Sequence, residues 1–259
     1  MLVRNFCKHP LRVLGRGLWL GGAFLFAALD YAATVALCKK TSRNVACGLW
    51  LQRNSRRVLR PVHTELHVTG PIPKSGLLVC NHLSYLDILV IAAITPAVFV
   101  SKSEVKRWPV FGWFARIAGT IFVQREKRGD VARTTNEMQA ALDAGLLLVL
   151  FPEGTSSSGE TVLPFRSSLL EPAAKSTHLL HVGYINYSLA DGDVVEEVYY
   201  WRDMTLFPHL LNLLSKRQLS VRITFAPAQE KSADRKQLAL DLHAQVLRLK
   251  EDRGHGKEK

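Results

Sequence analysis

The chain has no Cys-x-x-Cys pair, and none of its four cysteines (Cys7, Cys38, Cys47, Cys80) has a histidine at a metal-ligand interval. These absences argue against a structural zinc site. Four unpatterned cysteines in a chain of this length also make no disulfide framework, so a reducing compartment is the default. Cys80 falls in an apolar run and reads as a packed thiol. There is no Gly-x-Ser-x-Gly, the nucleophile turn of serine lipid hydrolases, and no internal repeat. Acidic residues are scarce at the amino terminus: the first sixty residues hold eleven lysines or arginines against Asp30 alone.

That imbalance decides how the net charge of +12 is read. Spread over a groove, such a charge would point to nucleic acid. Here ten of the twelve net charges lie in the segment that also carries the longest apolar stretch, which suits an anionic bilayer and not nucleic acid. Residues 17–38 are apolar except for Asp30, with Arg12 and Arg16 before them and Lys39 and Lys40 after. The length is about that needed to span the hydrocarbon core. It is too long for a cleaved signal, and Ala32-Ala33-Thr34 is a poor cleavage site. Basic residues on both flanks set no orientation. An aspartate is costly at mid-bilayer, which favours insertion into one leaflet. The expected location is therefore a membrane, at the cytoplasmic face of the inner or plasma membrane.

With 259 residues, 47% of them hydrophobic, the chain has material for one sizeable domain plus an appendage, and disorder is excluded for most of it. The expected division is a membrane-anchoring helical segment over 1–60 and a domain over 61–259. Residues 44–59 form an amphipathic helical pattern, and 66–68 alternate like an edge strand before the Gly70–Pro73 loop. Short apolar strands are predicted at 77–80, 97–101, 120–124, 146–151, 182–186, 198–201 and 221–225. The clearest helices are 130–144, stopped by Gly145, and a carboxy-terminal one carrying Leu238, Leu242, Val246 and Leu249. Strands alternating with helices predict an α/β fold: a mixed, mainly parallel sheet covered by helices on both faces, preceded by the membrane-associated helical segment.

Two polar islands follow buried-strand runs, Asn81-His82-Leu83-Ser84-Tyr85-Leu86-Asp87 and Phe151-Pro152-Glu153-Gly154-Thr155. Strand ends in α/β sheets are where reactive groups collect. If His82 sits in a strand-to-helix turn and Asp87 in the helix after it, the carboxylate folds back onto the imidazole. The blander reading is that Asn81 or Ser84 caps that helix.

These residues resemble the glycerolipid acyltransferase family, of the 1-acylglycerol-3-phosphate acyltransferase type. The His-x4-Asp motif is matched by His82 and Asp87, and the Phe-Pro-Glu-Gly-Thr motif by Phe151 to Thr155. A glycine, an apolar strand and an arginine are matched by Gly119 to Arg125, and the segment from Ser101 to Gly112 is also similar. The fourth motif is faint in residues 179–185. The likeness covers roughly 62–225, with three motifs in order. It implies transfer of a fatty acyl chain from acyl-CoA or acyl-carrier protein to a lysolipid hydroxyl, modally 1-acylglycerol-3-phosphate. No metal or cofactor is implied, because a thioester is already activated.

In that chemistry His82 would be the general base and Asp87 its orienter, with the substrate's hydroxyl in place of a serine. Ser84 reads as a cap or hydrogen-bonding residue rather than a nucleophile. The resemblance assigns the loop of Glu153, Gly154 and Thr155 to the acceptor. Arg125 is the candidate for an acceptor phosphate or carboxylate, and Lys102 and Arg166 stand second to it. One departure matters: Ser156 stands where the family has arginine, which keeps lyso-ornithine lipid open as an alternative acceptor. A non-catalytic lysolipid binder is the separate alternative function, against which the intact His82, Asp87 and Glu153 count.

Overall fold

The computed structural model describes residues 9–124, 128–175, 177–229 and 232–252. It opens on two helices, α1 (Pro10–Thr34) and α2 (Lys40–Leu59). Proline at the first turn of α1 needs no hydrogen-bond partner there. Val13, Arg16, Leu20, Ala23 and Ala27, spaced three or four apart, bury one face of α1. Leu11, Leu14, Leu18, Leu25 and Leu29 remain exposed. Asp30 is held between the helices: Arg53 donates to it at 3.0 Å and the Asn54 amide at 2.8 Å. The aspartate that interrupts the apolar run is therefore a paired interhelical group.

The sheet strands are β1 (Thr64–Thr69), β2 (Gly76–Cys80), β3 (Val98–Lys102), β4 (Ile121–Val123), β5 (Leu147–Leu150), β6 (Leu180–Leu189) and β7 (Leu219–Pro227). Among the described residues they make one sheet in the order β1-β7-β6-β2-β5-β3-β4. Only β6 and β7 pair antiparallel; every other neighbouring pair is parallel. The fold is thus the mixed, mainly parallel sheet expected. The alternation of side chains along β2 and β5 divides the core in two. Leu78, Cys80, Leu147 and Val149 face one side, where they join Val13 and Leu20 of α1 and Leu59 of α2. Leu77, Val79, Leu148 and Leu150 face the other. Because both faces are covered, these central strands read as unbroken apolar runs.

The helices are α3 (Leu86–Ile94), α4 (Phe111–Ile117), α5 (Arg128–Asp143), α6 (Glu171–Lys175), α7 (Val194–Glu197), α8 (Leu206–Ser215) and α9 (Arg235–Glu251). Helix α3 packs on the α1 side of the sheet through Val90 and Ile91, and α8 through Leu213 and Leu214. Met138 and Leu142 of α5, with Leu238, Leu242 and Val246 of α9, fill the opposite side. Gly145, at φ 73°, ends the α5 turn in a backbone region that other side chains resist.

The expected boundary at residue 60 falls between α2 and β1, yet α1 is fastened to the domain beyond it. Buried Arg16 donates to the Leu214 and Lys216 carbonyls at the end of α8, and its Nη2 lies 3.1 Å from His63 Nδ1. A cation at a helix carboxy terminus also complements the helix dipole.

One predicted strand is absent. Residues 198–201 follow α7, whose first turn is capped by Asp193 accepting from the N–H groups of Val195 and Glu196. The aromatic run after it joins no strand. The Val198 and Tyr199 N–H groups turn back to the Val194 carbonyl of α7, the Tyr199 carbonyl meets His209 of α8, and Tyr200 bonds the loops of Leu83 and Ser156, so these partners override β propensity. Helix α8 follows, in a segment where the sequence had assigned no element.

Candidate active site

Strand β2 ends at Cys80 because the Asn81 side chain takes over the ladder. Its Oδ1 accepts the Ile185 N–H at 2.7 Å and its Nδ2 donates to the Ile185 carbonyl at 3.0 Å. Asn81 is therefore a ladder mimic on β6 and not the cap of α3. The backbone is released one residue later, at His82. His82 is then fixed from the loop after β5: its N–H donates to Glu153 Oε1 at 2.7 Å, and its carbonyl accepts from the Ser157 N–H at 3.0 Å. The imidazole stacks on Phe151 with ring centroids 4.3 Å apart.

Asp87 sits in the first turn of α3 and is fully buried. Its Oδ2 meets His82 Nδ1 at 2.7 Å and also accepts the N–H groups of Leu83 and Ser84 at 2.7 and 3.0 Å. Its Oδ1 accepts the Tyr187 hydroxyl at 2.6 Å. An oxygen already accepting two backbone donors has no place for a proton of its own. The hydrogen between the pair is therefore on His82 Nδ1, and Nε2 is the ring nitrogen that Asp87 leaves untied. Among the described residues Nε2 has no hydrogen-bond partner.

His82 lines a cleft of about 240 Å³ at the carboxy-terminal ends of β2, β3 and β5. Ile88, Val100, Val105 and Trp108 give it apolar wall, Gly154, Thr155 and Ser156 form one rim, and Lys102 and Arg202 bring positive charge. Tyr85 also lines it. Burial lowers the pKa of His209 behind Tyr85 to about 4, so that ring is neutral. With Nε2 3.1 Å from the Tyr199 carbonyl, Nδ1 accepts the Tyr85 hydroxyl.

The structure thus brings together His82, Asp87, Lys102, Gly154 and Thr155. Glu153 is placed differently from its expected role as a headgroup contact. It is 2% exposed, is not on the cleft wall, and binds the His82 and Leu163 N–H groups. Burial pushes its carboxyl up to about 7, against the pull of those two donors. Its geometry makes it the tie between the two motif loops. Arg166 is exposed and does not line the cleft; its backbone N–H bonds the Pro152 carbonyl. Arg125 lies outside the described residues. Ser84 is completely buried and its hydroxyl has no protein partner, which removes it from reach of a substrate. Tyr187 and Arg202 were missed by sequence reasoning, and neither carries a local signal, since each meets the site only through β6 or the loop after α7.

The site is thus a buried carboxylate held against a cleft-lining histidine at the strand ends of a mainly parallel sheet, a pairing that can serve proton transfer. The comparisons with known proteins narrow the class. Residues 31–187 match the model of the Acyltransferase family. A lyso-ornithine lipid O-acyltransferase of Rhizobium meliloti (strain 1021) is 34% identical over 231 residues, 81% of this chain and 78% of that one. A 1-acyl-sn-glycerol-3-phosphate acyltransferase of Neisseria meningitidis is 32% identical over 173 residues, 66% of this chain and 68% of its own length. The crystal structure of a 1-acyl-sn-glycerophosphate acyltransferase from Thermotoga maritima shares the fold, with a TM-score of 0.70 at 17% identity over 98% of this chain and all of that one. The chain belongs to the acyltransferase family and is an acyltransferase.

Proposed function

We propose that the protein transfers a fatty acyl chain from an acyl thioester, acyl-CoA or acyl-carrier protein, to the hydroxyl of a lysolipid. The observation that carries this reading is the His82 ring: it lines the cleft, Asp87 holds Nδ1 at 2.7 Å, and Nε2 has no hydrogen-bond partner among the described residues. In the proposed reaction Nε2 takes the proton of the acceptor hydroxyl as its oxygen attacks the thioester carbonyl. The tetrahedral intermediate then expels the thiolate, which receives that proton from His82, and the acyl group leaves as an ester. No acyl-enzyme forms. Asp87 holds the tautomer and stabilises the imidazolium between the two transfers.

Lyso-ornithine lipid is the proposed acceptor. Support comes from the Rhizobium relative, which matches over more of both chains than the Neisseria protein does, and from serine at 156 in place of the motif arginine. Lysophosphatidic acid, giving phosphatidic acid, is the second reading, favoured by the two cations Lys102 and Arg202 on the cleft wall. Purified protein in detergent, given labelled acyl-CoA or acyl-carrier protein and each lysolipid, tests both. Ester formation on lyso-ornithine lipid is the expected result. Free fatty acid alone would mean a hydrolase, and no product at all would sink the transfer reading.

We also propose that α1 lies in one leaflet of the membrane, with its exposed leucines in lipid. The opposite face is held by the domain through Arg16 and Leu20, which suits lying along the bilayer surface better than crossing it. By length and composition alone the helix could span. Leu18→Glu with Leu25→Glu should release the protein from anionic vesicles at high salt, conditions in which the unaltered chain stays bound. Each buried leucine contributes about 1.5–3 kcal/mol that salt does not screen. Because both side chains are mostly exposed, the melting temperature should hold within a few degrees. If the double variant pellets with vesicles as the parent does, this face is not the anchor.

A further inference from the structure

The loop between α7 and α8 lines the cleft through Tyr200, Trp201 and Arg202 and is tied down from several sides. The Tyr200 N–H donates to the Leu83 carbonyl at 2.8 Å, in the same loop as His82. The Ser156 hydroxyl donates to the Tyr200 carbonyl, and the Trp201 indole N–H donates to Val195 at 3.2 Å. The next residue, Arg202, has φ of 55°, a left-handed backbone that arginine adopts only under strain. Its guanidinium lies 3.7 Å from the centroid of the Trp201 ring. Among the described residues no carboxylate pairs with it. A strained backbone that holds a stacked cation on a cleft wall is an outlier pointing to function.

Ser156 supplies an independent observation. It occupies the motif position where the resemblance calls for arginine, and its hydroxyl binds the carbonyl two residues before Arg202. A long guanidinium side chain at 156 could not make that contact without moving the loop. A guanidinium, that of Arg202, stands instead on the facing part of the cleft wall. The Ser156 hydroxyl is one of the ties that hold the loop of Arg202.

We propose that Arg202 is the specificity-determining residue for the acceptor, binding the headgroup's anionic group, a carboxylate or a phosphate monoester, with the edge of its guanidinium while Trp201 covers its face. This rests on the lysolipid transfer reading above. Planar guanidinium matches either anion through paired hydrogen bonds, and its fork is pre-organised by the stack.

Two acceptor pairs test it, each with and without the anion: lyso-ornithine lipid against its methyl ester, and lysophosphatidic acid against monoacylglycerol. The native protein should prefer the anionic member of one pair by about 10- to 100-fold in kcat/KM, the range of a hydrogen bond to a charged group. Arg202→Gln should collapse that preference toward unity through KM, with the acyl-donor KM and the uncharged acceptor unchanged, and Arg202→Lys should retain part of it. The pair that collapses identifies the anion. Arg202→Gly should lose the same preference while melting no lower than the parent, because glycine relaxes φ 55°. Equal losses on both members of a pair, or none on either, would overturn the proposal. Equilibrium binding of the four lipids gives the same ratios without turnover, so a protein that transferred to none of them would defeat the transfer reading while binding still judged Arg202.

Discussion

His82→Ala should lower kcat by about a hundred- to ten-thousandfold and leave the protein folded. General-base catalysis contributes about 10² to 10⁴ in rate, and the described cleft wall holds no second histidine to take the role. The stability change should be small. The imidazole is a partly exposed side chain whose losses are a stack on Phe151 and one bond to Asp87, while the backbone ties to Glu153 and Ser157 remain. Substrate binding should survive, so equilibrium affinity for acceptor and donor is the control beside single-turnover rates. Activity above a few per cent of the parent would remove His82 from the role of base.

Asp87 should behave differently, because it serves the fold as well as the histidine. Asp87→Asn can keep an oxygen toward Leu83 and Ser84 and present its amide nitrogen to Tyr187, whose hydroxyl can accept. The fold should therefore hold with a modest drop in melting temperature. A neutral amide cannot stabilise the imidazolium, and kcat should fall by about 10³ to 10⁴, as when the aspartate of a catalytic triad is neutralised. Asp87→Ala leaves two backbone donors and the Tyr187 hydroxyl buried without an acceptor, at about 1–3 kcal/mol each, so it should also unfold far more easily in urea. Chemical denaturation and kcat on the two variants separate the roles. An asparagine variant that kept near-parental kcat would show that the carboxylate is only a structural tie.

Much of this was legible because local rules decided it. The runs that became β2 and β5 are apolar without interruption, as strands buried on both faces must be. Five positions from His82 to Asp87 are enough for one turn of chain to return a carboxylate to an imidazole, so the pair could be expected from spacing alone. Helix α5 and its stop at Gly145 followed from periodicity and from the one residue tolerant of φ 73°.

By itself, then, the sequence determined the α/β class, the apolar basic amino terminus and the His–Asp pair, all of which depend on neighbours within a few residues. Tertiary structure alone decided what distant groups do to that pair. Tyr187 reaches Asp87 across a hundred residues because β6 lies beside β2. Glu153 became a clamp on the His82 backbone instead of a headgroup contact, because its carboxylate is buried between two N–H donors. Residues 198–201 lost the strand their composition predicted, since the end of α7 and the loops beside the cleft satisfied their polar groups. Asp30 turned from an interruption into a pair with Arg53 once two helices met. For Tyr187, Glu153 and Asp30 the deciding partner is remote in sequence, and burial, which forces every polar group to find a partner, selected it.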